Sequence, residues 1–142
     1  MFLLYYRPNC PFSINSDKLM TKLSLPHKTI KINRENDVIK DQLYSLFEHN
    51  TYPAIIYYKN GNNKHTDTDT DTDTDLETNV PSNGIFIGGN REFTELISNV
   101  KKLNSSNIKK TYNSFNNSFN NVNNISYRDY LLISNYIITQ FI

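Results

Sequence analysis

The feature that most constrains the fold of this chain is an apolar run followed by a turn with two prolines. An amphipathic run comes directly after the turn. Phe2–Tyr6 is continuously apolar, which is typical of a central strand buried on both faces. Residues 11–23 then carry apolar side chains at helical spacing. Pro11 suits the first helical position, because an N–H there would have no intrahelical partner. The sequence therefore predicts a strand, a short turn and a helix.

The alternation of strand-like and helix-like patterns continues to about residue 103. The next predicted elements are a strand over 28–33, a helix from 36 or 37 to about 48, a strand over 51–58, a strand over 84–89 and a helix over 90–103. The two later helices carry the apolar stripes Val38, Ile39, Leu43, Leu46, Phe47 and Phe93, Leu96, Ile97, Val100, Leu103. These patterns predict one α/β domain over residues 1–103.

Residues 62–83 interrupt this domain with low-complexity sequence. Thr and Asp alternate from Thr66 to Asp75, which leaves no apolar face to bury and places five carboxylates together. Asp at every second position also resembles the start of a calcium-binding loop, but no glycine stands where the sharp turn needs one and Glu77 is out of register. A cluster of phosphorylated threonines is the other functional alternative. We predict a simple-sequence expansion that forms an acidic loop insertion, since lengthening a loop costs only about 0.6 kcal/mol per doubling.

Beyond residue 103 the composition changes. Residues 104–124 contain nine Asn and few apolar side chains, so they are predicted to form a disordered linker. Residues 125–142 regain apolar side chains, but the segment is too short and too interrupted by Arg128 and Asp129 for a membrane span. We expect it to dock on the domain or to be disordered, and contact with a partner or a membrane surface is the alternative.

Charge and composition exclude several classes of protein. The formal net charge of +1 conceals six acids between Asp67 and Glu77, which leaves 15 basic against 8 acidic residues elsewhere. That excess suits a small anion or an acidic partner surface, whereas the spacing of Lys and Arg does not indicate a nucleic-acid groove. No apolar run reaches about 18 residues, the N-terminus lacks a secretory pattern, and one Cys forms no internal disulfide. We expect a soluble cytoplasmic protein in a reducing compartment.

The only cysteine, Cys10, lies on the predicted turn between the first strand and the first helix. Unpaired N–H groups and the positive end of the helix dipole meet there, and both favour a thiolate. Arg7 adds a cation three residues upstream. A nucleophilic thiol and a small buried apolar side chain are equally compatible with this segment alone. His27, His49 and His65 are scattered, so they are predicted to be surface or loop residues and no metal site is predicted.

Three separated motifs resemble the glutaredoxin family. Cys-Pro-Phe-Ser at 10–13 resembles its Cys-Pro-Tyr-Cys or Cys-Pro-Tyr-Ser active site, and Arg-Pro-Asn at 7–9 stands in the place of Lys-Pro-x. Thr-Tyr-Pro at 51–53 resembles Thr-Val-Pro, and Ile-Gly-Gly-Asn-Arg-Glu-Phe at 87–93 resembles Ile-Gly-Gly-x-x-Asp-Leu. The resemblance covers residues 2–103 apart from the insertion. It implies a thioredoxin-like, three-layer α/β fold, with a central mixed four-stranded sheet flanked by helices.

The resemblance also implies a glutathione site around a catalytic Cys10. In such a site the Tyr52–Pro53 bond is cis, and the backbone of Tyr52 pairs with the cysteinyl part of glutathione. Arg7 holds the glycine carboxylate and Phe12 forms one wall. The residues implied to receive the γ-glutamyl end are Gly89, Asn90, Arg91 and Glu92.

The sequence departs from the family pattern at three positions. Arg91 stands where relatives commonly carry Ser or Asp, which weakens a contact to the γ-glutamyl amine or strengthens one to its carboxylate. Glu92 is one methylene longer than the usual Asp. Ser13 replaces the second cysteine, so no resolving thiol follows Cys10.

A monothiol mechanism is the function that the resemblance implies. The chain would use glutathione as co-substrate and release glutathione from glutathionylated proteins, acting as a monomer. The alternative is a dimer that binds a [2Fe-2S] cluster through Cys10 of two subunits and two glutathione molecules. That branch usually shows Cys-Gly-Phe-Ser and a Trp-Pro motif, whereas here Pro11 replaces the glycine and the chain contains no Trp. A third alternative is an interaction protein that keeps the fold without turnover.

Overall fold

The computed structural model describes residues 1–32, 37–58, 76, 78–118 and 125–140. Its elements are β1 (Phe2–Tyr6), α1 (Pro11–Lys22), β2 (His27–Lys31), α2 (Asp37–Phe47), β3 (Ala54–Tyr57), β4 (Ile85–Gly88), α3 (Asn90–Lys101), α4 (Ile108–Ser118) and α5 (Tyr127–Gln140). The strand and helix predictions up to residue 103 are confirmed to within a few residues. The largest difference is at β3, which begins after the turn around Pro53 rather than at residue 51.

The four strands form one mixed sheet in the order β2-β1-β3-β4. β1 pairs with β2 in parallel and with β3 in antiparallel orientation, and β3 pairs with β4 in antiparallel orientation. Tyr5 of β1 lies opposite Ala54 of β3, and Gly88 of β4 lies opposite Ile55. The end of β1, the start of β3 and the end of β4 therefore meet at one edge of the sheet, which is where the candidate motifs lie.

Alternate side chains of β1 enter two separate cores. Phe2 and Leu4 pack with α1 and α3 on one face of the sheet, whereas Leu3 and Tyr5 pack with α2 on the other. All four side chains are inaccessible to solvent, which explains the continuously apolar sequence of this strand.

Helix α2 covers its face of the sheet with a narrower stripe than the sequence predicts. Ile39 and Leu43 are fully buried and Phe47 packs at the edge of the core. Val38 and Leu46 are 46% and 38% exposed, so their assignment to the apolar stripe is wrong. These two side chains lie on sides of α2 that are not part of the core it shares with the sheet and with Leu76 and Val80.

The expected disorder over 104–124 is contradicted at residues 108–118, which form helix α4. Ile108, Tyr112 and Phe115 recur at helical spacing in this Asn-rich stretch, and Phe115 is buried in the same core as Phe2. The rings of Tyr112 and Tyr130 lie 5.4 Å apart, so α4 packs against α5. Three apolar residues on one face are sufficient because α5 and α3 supply the opposite surface. Residues 119–124 lie outside the described residues.

Helix α5 docks on the sheet and α3, which is one of the two arrangements expected for residues 125–142. Tyr130, Ile133 and Ile137 are fully buried in the core that contains Phe2 and Phe93. Among the residues that the structure describes, no helix combines the length and apolar character needed to cross a bilayer.

The downstream end of the insertion is attached to the core. Leu76 and Val80 are buried beside α2. The Tyr5 hydroxyl donates a hydrogen bond to the Leu76 carbonyl at 2.9 Å. Gln42 donates to the Thr78 carbonyl at 2.7 Å and accepts from the Val80 N–H at 2.6 Å. The remainder of the predicted insertion, residues 62–75 and 77, lies outside the described residues.

The docking of α5 predicts a strong dependence of stability on its buried face. Replacement of Ile133 by Ala removes a fully buried side chain and should lower the free energy of unfolding by about 2–5 kcal/mol. Leu132→Ala, one residue away and 40% exposed, should change it by less than about 0.5 kcal/mol. Urea unfolding of both variants checks this, and equal unfolding midpoints would contradict the docked arrangement.

Candidate functional site

A groove of about 390 Å³ opens at the edge of the sheet where β1, β3 and β4 meet. It is lined by Phe12, His49, Thr51, Tyr52, Pro53, Phe86, Gly88, Gly89, Asn90, Arg91 and Glu92. The structure thus brings together seven of the nine site residues that the sequence nominated, namely Phe12, Tyr52, Pro53, Gly89, Asn90, Arg91 and Glu92. The other two, Arg7 and Cys10, contact Tyr52 beside the groove.

Cys10 occupies the N-cap position of α1 with an extended backbone. Its thiol is partly exposed, so the side chain is not the buried apolar residue that the sequence left open. The Sγ atom lies 3.7 Å from the carbonyl oxygen of Tyr52. The thiol is therefore partly exposed and adjacent to the backbone carbonyl of Tyr52, a residue that lines the groove.

The environment of Cys10 lowers the pKa of its thiol below the ordinary value. Partial burial alone would raise this pKa, because it disfavours the charged form. The backbone N–H and hydroxyl of Ser13, the N–H of Phe12 and the positive charge of Arg7 act in the opposite direction and together outweigh burial. The two N–H groups and Arg7 are the helix N-terminal donors and the cation expected from the sequence, whereas the contribution of the Ser13 hydroxyl was not expected.

Ser13 lies in the first turn of α1, within hydrogen-bonding distance of the Cys10 thiol. Its side chain is fully buried, and its Oγ accepts a hydrogen bond from the Arg7 N–H at 3.3 Å. The hydroxyl therefore holds the turn between β1 and α1 while it also stabilises the Cys10 thiolate.

The turn before β3 forms the wall next to the thiol. The Tyr52–Pro53 peptide bond is cis, which confirms the expectation from the resemblance. Pro53 is buried, and the Arg7 guanidinium lies 5.1 Å from the centroid of the Tyr52 ring. Arg7 therefore lies beside the groove in a cation–π contact with Tyr52.

The paired glycines at the end of β4, Gly88 and Gly89, permit a tight entry into α3. Gly88 has a φ of +129°, and a Cβ there would lie 2.7 Å from the side chain of Glu92. Oε1 of Glu92 accepts the Gly89 N–H at 2.7 Å. Glu92 thus lines the groove and also caps the helix, so part of its acceptor capacity is already used.

Asn90 connects the two helices that flank the groove. Its Oδ1 accepts hydrogen bonds from Nδ2 of Asn15 and Oγ of Ser16, both at 2.8 Å. The side-chain oxygen therefore faces α1 rather than the groove. The part of Asn90 that suits a ligand is its backbone N–H in the first turn of α3, next to that of the exposed Arg91.

His49 lines the groove, whereas the sequence predicted only a surface or loop residue. Its Nε2 lies 3.4 Å from both the Pro53 carbonyl and the Thr51 hydroxyl, and its ring centroid is 4.9 Å from that of Phe86. Burial lowers the pKa of His49, although the Pro53 carbonyl and the Glu92 charge partly offset this effect. Its position two residues before the Thr-Tyr-Pro motif is the signal that could have placed it here.

No group of three or more His, Cys, Asp or Glu side chains with the arrangement of a metal site occurs in the described parts of the chain. His27 lies away from the groove, with Nε2 3.0 Å from Asp17 and Nδ1 2.8 Å from the Leu25 carbonyl. His65 lies outside the described residues. Comparison with family models, with curated proteins and with solved structures gives no match for this chain.

The hydrogen bond from Ser13 predicts that Ser13→Ala raises the pKa of the Cys10 thiol. Loss of the hydroxyl removes one group that stabilises the thiolate, so alkylation by iodoacetamide at pH 7 should become slower. Ser16→Ala is the matched control, because Ser16 is also buried on α1 but bonds Asn90. An unchanged pH profile of alkylation in Ser13→Ala would refute this role.

The buried position of His49 predicts an acid-labile contribution to stability. A lowered pKa means that the unfolded chain binds this proton more readily than the folded one, so stability falls as the pH drops below about 6.5. His49→Gln should flatten this part of the curve while keeping a side chain that can donate to the Pro53 carbonyl. Chemical unfolding between pH 5 and 8 measures the difference, and parallel curves would show that His49 does not contribute.

Proposed function

We propose that this protein is a glutaredoxin-like, glutathione-dependent thiol–disulfide oxidoreductase that acts on glutathionylated proteins through Cys10. One observation carries the proposal: a thiol with a lowered pKa lies 3.7 Å from the Tyr52 carbonyl, directly before cis-Pro53, at a groove. A structural cysteine needs neither the exposure nor the donor groups that surround this sulfur.

The thioredoxin-like fold is part of the same proposal. Its support is the strand order β2-β1-β3-β4 with a parallel first pair, together with helices on both faces of the sheet. The chain would then be a domain with the acidic insertion between β3 and β4 and a helical extension after α3. These assignments rest on the arrangement of the elements and on the three motifs.

Glutathione fits the charges along the groove. Arg7 would pair with the glycine carboxylate, and the Tyr52 backbone would bond the cysteinyl amide groups. At the other end, the N–H groups of Asn90 and Arg91 in the first turn of α3 would receive the γ-glutamyl carboxylate. Arg91 favours that carboxylate further by its charge. Phe12, which is 62% exposed at the rim, would cover the tripeptide from one side.

The proposed reaction consists of two thiol–disulfide exchanges. The Cys10 thiolate attacks the glutathionyl sulfur of a protein–glutathione disulfide, the S–S bond breaks, and the protein leaves as a thiolate that takes up a proton. Cys10 is then joined to glutathione. The thiolate of a second glutathione attacks the glutathionyl sulfur, which forms oxidised glutathione and returns the Cys10 thiolate. In the net exchange the sulfur of the second glutathione is oxidised and the protein sulfur is reduced to a thiol, so one disulfide bond is broken and one is formed.

The lowered pKa of Cys10 assists both exchanges. It increases the fraction of thiolate available for the first attack, and it makes Cys10 a better leaving group in the second. Ser13 cannot attack the mixed disulfide, and the chain has no other thiol. Release of Cys10 therefore requires the second glutathione, and reduction of an intramolecular protein disulfide by an internal resolving step is not available.

The proposal predicts that Cys10→Ser abolishes glutathione-dependent deglutathionylation. Arg7→Ala should lower kcat/KM by about 10–100-fold, because a hydrogen bond between charged groups contributes about 1.5–3 kcal/mol. Lys18→Ala, an exposed residue of α1, is the control and should retain activity. The assay follows release of glutathione from a glutathionylated protein, coupled to glutathione reductase.

Other outcomes separate the remaining alternatives. Activity that survives Cys10→Ser would reject the mechanism. A dimer with visible absorbance after anaerobic reconstitution with iron, sulfide and glutathione, without turnover, would favour the cluster-binding alternative. Failure to bind glutathione would favour an interaction protein without catalysis.

A further inference from the structure

The imidazole ring of His49 lies between two segments that line the groove beside Cys10. Its Nε2 is 3.4 Å from the Pro53 carbonyl, in the turn before β3. Its Cε1 is 4.0 Å from the position that a Cβ on Gly89 would occupy, directly before α3. The ring also packs against Phe86 of β4, with 4.9 Å between the ring centroids. The proposed exchange assigns no role to this side chain.

The contact with Pro53 determines which nitrogen of the neutral His49 ring carries the proton. A carbonyl oxygen only accepts hydrogen bonds, so the proton lies on Nε2, where the Thr51 hydroxyl is also at 3.4 Å. Burial lowers the pKa of His49 below its ordinary value of 6.5, so the ring is neutral at pH 7. In this tautomer Nδ1 carries a lone pair and accepts hydrogen bonds. His49 therefore brings an acceptor to the groove without a negative charge.

Three oxygens at this end of the groove already accept hydrogen bonds within the protein. Oδ1 of Asn90 accepts two from α1, Oε1 of Glu92 accepts one from the Gly89 N–H, and the Pro53 carbonyl accepts from His49. Glu92 has a second carboxylate oxygen, whereas a primary ammonium group has three N–H donors. An ammonium group bound at this end therefore needs a further acceptor beside Glu92.

We infer that Nδ1 of His49 accepts a hydrogen bond from the α-ammonium of the γ-glutamyl group and thereby selects substrates that carry this ammonium. The inference rests on the proposed function, in which the γ-glutamyl carboxylate binds the N–H groups of Asn90 and Arg91. The ammonium and this carboxylate are bonded to the same carbon atom, so the ammonium lies close to Gly89. That is where the His49 ring is. The charge of Arg91 suits the carboxylate, and the His49–Glu92 side suits the ammonium.

Protonation of His49 should weaken the binding of this ammonium. An imidazolium donates at both nitrogens, so the acceptor is lost and a positive charge lies beside the cation of the ligand. In the described part of the chain, the ionisable groups that line the groove with His49 are Tyr52, Arg91 and Glu92. The Glu92 charge favours the imidazolium, whereas burial disfavours it and has the larger effect. Affinity should therefore fall as the pH drops below about 6.5.

A cycle of two substrates and two proteins tests the inference on the full chain. A peptide thiol is joined by a disulfide either to glutathione or to glutaryl-cysteinyl-glycine, which lacks only the α-amino group. Release of the peptide thiol in a single turnover gives the second-order rate constant of the first exchange. His49→Phe keeps an aromatic ring against Phe86 and removes both nitrogens. It should lower this constant about tenfold for the glutathione disulfide and less than about twofold for the glutaryl disulfide.

Binding of S-methylglutathione measures the pH dependence without the exchange reaction. By titration calorimetry its affinity for the wild-type protein should fall several-fold between pH 7.5 and pH 5.0, whereas its affinity for His49→Phe should change much less. His27→Phe is the matched control, because His27 pairs with Asp17 away from the groove, and it should behave as the wild type in both assays. Circular dichroism and urea unfolding check that both variants fold.

The outcomes distinguish this inference from the proposed function. If the wild-type protein reacts with neither disulfide, or if Cys10→Ser reacts as fast, the proposed function is rejected and the inference with it. If the wild-type protein reacts with both disulfides at equal rates, the function stands and the inference is overturned, and this comparison needs no variant. Equal losses for both disulfides in His49→Phe, or an affinity of the wild type that rises at low pH, also overturn it.

Discussion

The antiparallel pairing of β1 with β3 is the contact on which the site depends. Tyr5 lies opposite Ala54, so the chain leaving β1 and the chain entering β3 emerge at the same edge of the sheet. That register places the Cys10 sulfur against the Tyr52 carbonyl. β1 is held in place from both faces by buried side chains, and a shift of one residue would exchange the contents of the two cores. The position of the thiol is therefore fixed by the best-buried part of the molecule.

Most of the fold could be predicted from the sequence, because its strands and helices have distinct apolar periodicities. The central strand, α1, α2, β4 and α3 each follow such a pattern. The predicted disorder of residues 108–118 was wrong, because it was based on their high Asn content and not on the spacing of their apolar residues. Three apolar residues on one face suffice here for a helix that packs on α5. It also failed at Val38 and Leu46, because periodicity identifies the apolar face of a helix but not how wide a surface lies beneath it.

The sequence predicted which residues form the candidate site, but it did not predict the contact that each side chain makes. Seven of the nominated residues line one groove, which three short motifs were enough to indicate. The sequence does not show that the Asn90 oxygen bonds α1, or that Glu92 caps α3. Both are tertiary or capping contacts made by polar side chains, and polar side chains suit a ligand and a neighbouring helix equally well. His49 was missed because an isolated histidine has no spacing signal.

Leu76 and Val80 are buried beside α2, and this has a consequence for changes in the length of the insertion. The Thr-Asp repeat, Thr66 to Asp75, is followed in the chain by a buried anchor, which hydrogen bonds to Tyr5 and Gln42 hold in place. Because this anchor lies between the repeat and β4, we expect a chain with more or fewer Thr-Asp pairs to keep the same register of β4 and the same geometry of Gly88 at the groove.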